Sequence, residues 1–108
     1  MQKYWYRNPR IQTDIPLTLV AGETVLQGRC ISISVEGMAA SLPDVPAIGT
    51  PVAVTLHVPP CPVVCRARVT RLDPVSVGFV FEFQAEDDRQ SLSDLVNLLL
   101  RSSAHESL

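Results

Sequence analysis

The residues best suited to chemistry in this 108-residue chain are arginines and hydroxyls rather than histidines or carboxylates. Near the start, YRNPR carries Arg7 and Arg10 with Tyr6 beside them; further on, SISVEG carries Ser32, Ser34 and Gly37. A guanidinium is a planar fork of N–H donors. It grips a phosphate, or the O6 and N7 acceptors of a guanine, bidentately, where a lysine offers only a point charge. Hydroxyls and a glycine on a bend let a ligand approach the backbone closely and exchange hydrogen bonds with it. Seven of the nine basic residues are arginines placed before position 90, in short groups, and Lys3 is the only lysine.

Other chemistries are poorly provided for. His57 falls on the outer face of a strand and His105 in the tail, and no nucleophile, base and orienter can be assembled, so the chain does not read as an enzyme. Glu86, Asp87 and Asp88 stand where a helix start wants negative charge, and they read as serving its dipole rather than a metal. There is no Walker A loop and no GxGxxG. Cys30, Cys61 and Cys65 form an odd set whose CPVVC spacing fits neither a redox CxxC nor a zinc knuckle, which predicts reduced core thiols.

A net charge of -2 and a pI near 5.5 argue against coating a nucleic-acid polymer, and an aromatic share of 6% offers no base-stacking surface. A small anion remains as a partner. No stretch approaches the roughly 20 apolar residues of a membrane span, and MQKYWYRNPR lacks the apolar core of a signal peptide, so a cytoplasmic location is expected.

The elements that must position the arginines and hydroxyls follow from periodicity. One domain over 1–108 is expected, with an arm at 1–12, a β-barrel at 13–85, a helix at 87–102 and a frayed tail at 103–108. IPLTLVA and TVLQGRCISIS form a hairpin about Gly22, and PDVPAIG reads as a Pro-rich loop. In VAVTLHV, Val52, Val54, Leu56 and Val58 share one face. In VVCRARVTRL, Val63, Cys65, Ala67 and Val69 face in, with Arg66 and Arg68 out. VGFVFEF turns Val77, Phe79, Phe81 and Phe83 to the core. Leu92, Leu95, Val96, Leu99 and Leu100 make the stripe of one amphipathic helix, with Ser91 and Asp94, or Asp87, as its cap. Six strands and one C-terminal α-helix imply a mainly β fold: a small antiparallel β-barrel, closed or nearly so, with a two-sheet sandwich as the other solution.

An arm with spaced arginines, a hairpin, an xSxxG bend, a late GVxF-like strand and a closing helix together resemble PilZ domains, the bacterial cyclic di-GMP receptors, over nearly the whole chain. The resemblance implies that arm arginines clamp guanine edges and phosphates while the bend holds the other side of the dinucleotide. Carried over by position, Arg10 matches the second arm arginine, Ser34 the serine and Gly37 the glycine. Tyr6 stands at the first arginine's place with Arg7 one residue inside it, and Ser32 stands where the family has Asp or Asn. A serine lacks the charged acceptor that pairs with guanine N1 and N2. Tyr6 stacking on a guanine, or charge from Arg29, Arg66 or Arg68, would compensate in part.

The resemblance thus implies a signalling module without a cofactor, of a kind tied to motility, that binds cyclic di-GMP, moves its arm and relays to a protein partner. The alternative is a degenerate PilZ-like interaction module that ignores the nucleotide. On the plainest reading, RNPR is a solvated tail and SISVEG a turn that takes Gly37 for its positive φ.

Overall fold

The computed structural model describes residues 10–59 and 61–106, with side chains as far as Arg101; Tyr6 and Arg7 lie outside the described residues. Six strands, β1 (Ile11–Ala21), β2 (Thr24–Ile33), β3 (Gly37–Ser41), β4 (Pro51–Leu56), β5 (Val63–Leu72) and β6 (Val77–Glu82), precede one helix, α1 (Glu86–Glu106). All pairings are antiparallel and the sheet closes on itself in the order β1-β2-β3-β6-β5-β4. Closure comes from β1 against β4, from Leu17 opposite Leu56 to Val20 opposite Ala53, which leaves no sandwich edges. The Pro-rich connection from β3 to β4 carries the chain across to that seam.

Alternation fills the interior. Leu17, Leu19, Val54, Leu56, Ala67 and Val69 are all but fully buried, and each large side chain among them contributes about 1.5–3 kcal/mol by leaving water. β1 begins at Ile11, inside the stretch assigned to the arm, because Ile11 pairs with Ile33 and Gln12 with Ser32.

α1 touches β1 and β5, the strands flanking short β4, and sends Leu92, Leu95 and Val96 into the barrel core. It runs to Glu106, beyond the expected end at 102, and it leaves Leu100 exposed, so the stripe stops at half-buried Leu99. Its start also differs from expectation. Glu86 is the first helical residue, Ser91 and Asp94 lie inside the helix, and it is the Asp88 carboxylate that accepts a long 3.4 Å hydrogen bond from the Gln84 N–H. Phe83 is only half-buried, with the Arg89 guanidinium 5.5 Å from its ring centre.

Gly22 adopts a positive φ of 63° at the β1–β2 turn, whereas Gly37 does not have a positive φ. What Gly37 provides is closeness: a Cβ there would sit 2.2 Å from the Phe79 carbonyl oxygen on β6.

Two of the three cysteines are core thiols and one is not. Cys30 and Cys65 are buried, and burial pushes both thiols up to about 12, while Cys61 is exposed on the β4–β5 connection. A thiol reagent near neutral pH is therefore expected to modify Cys61 alone in the native protein and all three after denaturation. Mass spectrometry reads the difference, and a second thiol modified at the native rate of Cys61 would contradict the burial.

Candidate ligand-binding site

Two bulges build one row across the outer wall of the barrel. In β2 the register slips between Cys30 and Ser32, and in β5 between Val69 and Arg71. Each slip resets the alternation, so that Ser32 and Arg71 fall at positions whose partners point away from the core. The pairings then run Gln12 to Ser32, Ser32 to Ala39, Ala39 to Gly78 and Gly78 to Arg71, one residue from each of five strands. Met38 and Phe79, next along β3 and β6, are buried in the core, which places Ala39 and Gly78 on the outer face. From Ser32 to Arg71 the row crosses three strand spacings, about 14 Å.

Its centre is made of small residues and its ends carry guanidinium groups. Arg10 Nη1 donates to Ser32 Oγ at 3.0 Å, and both Arg10 and Arg71 line a depression of about 270 Å³ over Gly78 with Thr70 at its side. Ser32 is only 6% exposed although it lies on the outer wall. Arg71 lies over Gly78, where an added Cβ would come within 3.3 Å of Arg71 Cβ. The Nε of Arg71 donates to Asp73 Oδ2 at 3.1 Å, in an ion pair whose members are both solvent-accessible.

Of the residues singled out by sequence, Arg10 and Ser32 are brought together. Ser34 and Gly37 are not part of the same row. The Ser34 hydroxyl accepts from the Glu36 N–H at 3.2 Å and lies 3.5 Å from the Gly37 carbonyl, inside a turn whose backbone also closes by Ser34 N–H to Gly37 O at 2.8 Å. Gly37 is packed against β6, where a Cβ would meet the Phe79 carbonyl oxygen at 2.2 Å.

The other arginines weighed as sources of charge are placed differently. Arg29 is bonded to Asp14. Arg68 donates to Glu82 Oε2 at 2.7 Å and to the Gly49 carbonyl at 2.8 Å, and Arg66 stands opposite Glu82. Arg71, Ala39 and Gly78 were not selected by sequence reasoning. The available signal was Arg71 itself, a charge at a place where strict alternation after Val69 demands an inward residue.

Comparison with known proteins decides the family. The PilZ domain family model matches residues 6–99. This chain is a PilZ domain. PilZ domains form a family of cyclic di-GMP receptors, ligand-binding and adaptor modules rather than enzymes. Among solved structures, the PilZ domain of CeSA from a cellulose-synthesizing bacterium is similar at 23% identity and a TM-score of 0.74, covering 84% of this chain and 97% of that one. The PilZ domain of YcgR from Escherichia coli, with c-di-GMP, is similar at 16% identity and a TM-score of 0.77, over 94% and 95%. The Bacillus subtilis inhibitor of motility is similar at 17% identity and a TM-score of 0.73, over 92% of this chain and 51% of that protein. No match was found among curated protein sequences.

At these identities the solved structures speak for the barrel alone. Within this PilZ domain, no helix among the described residues is long and apolar enough to cross a membrane. Also among the described residues, no three His, Cys, Asp or Glu side chains are grouped as a metal site would require.

Proposed function

We propose that this PilZ domain is a cytoplasmic receptor that binds cyclic di-GMP on the outer wall of β2, β3 and β6 and passes the event to a protein partner. The observation that carries this reading is the 3.0 Å hydrogen bond from Arg10 to Ser32, which joins the arm's second arginine to the bend's first serine beside a floor of small side chains. A doubly anionic, flat-based ligand needs guanidinium forks and a wall it can lie against, and both are present here. Arg7 is three residues ahead of Arg10, within about 10 Å of extended chain, so it and Tyr6 can reach the same ligand from the arm. The arm's change of position on binding is the signal a partner would read.

Isothermal titration of the protein with cyclic di-GMP tests this reading. Saturable heat at micromolar ligand is expected. Ser32→Asp is expected to tighten binding by about tenfold, because it restores a charged acceptor worth roughly 1.5 kcal/mol to guanine donors. No heat in the high-micromolar range would sink it.

That outcome would favour the second reading, an interaction module indifferent to the nucleotide. Its own support is that Tyr6 stands at the place of the family's first arginine and Ser32 at that of its Asp or Asn.

A further inference from the structure

We propose that Arg71 is a further guanidinium of the ligand site, reaching from the barrel wall to an anionic group of the ligand across the depression it shares with Arg10. The inference rests on the cyclic di-GMP reading above and adds to it a residue that lies on neither the arm nor the bend.

Three observations converge on it. The bulge at Thr70 is what places Arg71 opposite Gly78; without it, Thr70 would hold that place and Arg71 would point at the core. Thr70 Oγ1 donates to the Gly78 carbonyl at 3.3 Å, which fixes the bulge to β6. Gly78 has no side chain to lift the arginine stem, so Arg71 lies against the sheet and lines the same depression as Arg10. A ligand with two phosphates has two places for a fork, and this wall presents the Arg10 and Arg71 forks on one depression over Gly78.

Asp73 sets the cost of using Arg71. It accepts from Arg71 Nε at 3.1 Å, with the arginine side chain 66% and the aspartate 37% exposed. An exposed pair of this kind is weak and readily exchanged for a phosphate. Asp73 therefore holds Arg71 along the wall when the site is empty and competes for it when ligand arrives. The Asp73 N–H bonds to the Ser76 carbonyl at 2.9 Å, a backbone contact that keeps the β5–β6 turn intact in a side-chain variant.

The test is calorimetric titration of cyclic di-GMP into the wild type, Arg71→Ala, Arg71→Lys and Asp73→Asn. Arg71→Ala is expected to weaken binding by about ten- to a hundredfold, with Arg71→Lys in between because it keeps the charge and loses the fork. Asp73→Asn is expected to tighten it by about two- to fivefold, a gain that a merely structural arginine could not produce. Wild-type binding with unchanged affinity in Arg71→Ala and Asp73→Asn would overturn this inference and leave the receptor reading standing. No binding by the wild type would overturn both.

Discussion

Arg10→Ala is expected to weaken cyclic di-GMP binding by about ten- to more than a hundredfold, the value of one charge-assisted hydrogen bond at roughly 1.5–3 kcal/mol. The loss has two parts. The ligand forfeits a bidentate donor, and Ser32, only 6% exposed, loses the guanidinium that its hydroxyl accepts from. Arg29→Ala makes the comparison specific. Its guanidinium is bonded to Asp14 and it is not among the residues lining the depression, so removing it takes away the same formal charge without touching the row. Calorimetric titration of both variants should show a large loss for Arg10→Ala and little change for Arg29→Ala. Equal losses would reduce the effect to net charge, and no loss at Arg10 would remove it from the site.

The largest expected effect on stability is at Gly37. In Gly37→Ala the new Cβ would meet the Phe79 carbonyl oxygen at 2.2 Å, a backbone atom that moves only if β3 and β6 separate where Gly37 pairs with Val80. Forced separation combines overpacking with loss of ladder hydrogen bonds, on the order of 3 kcal/mol. For a domain of this size that is about 12–24 °C in Tm. Gly22→Ala is the contrast: no atom lies within 4 Å of its Cβ, and only the positive φ of 63° is strained, at about 1–2 kcal/mol. Thermal unfolding followed by circular dichroism ranks the two. A Gly37→Ala protein as stable as Gly22→Ala would mean that β3 and β6 are not so close.

The barrel was legible because its strands alternate cleanly wherever they are regular. Val52, Val54 and Leu56 face in on β4 and Cys65, Ala67 and Val69 on β5, as their spacing requires, and Gly22 turns the first hairpin. The proposed site was legible only in part, for a physical reason. Both of its distinctive positions follow bulges, and a bulge adds one residue that a strict period of two cannot anticipate. Counting on from Cys30 puts Ser32 inside and counting on from Val69 puts Arg71 inside; the slips put both outside on one row. Ala39 and Gly78 carry no chemistry that a sequence pattern would flag, and only pairing sets them in the row between Ser32 and Arg71.

Gly37 illustrates the opposite case. A glycine in a bend suggests a positive φ, and the barrel instead uses its bare Cα to bring two strands together.

Cyclic di-GMP is proposed to lie along the row from Ser32 through Ala39 to Gly78. Amide proton and nitrogen shifts recorded during a titration test this most directly. The largest changes are expected at Ser32, Ala39, Gly78 and Arg71, with the amides of α1 and of the Pro-rich β3–β4 connection little affected. Saturable changes centred on α1 or on that connection, with the four row amides unmoved, would contradict it.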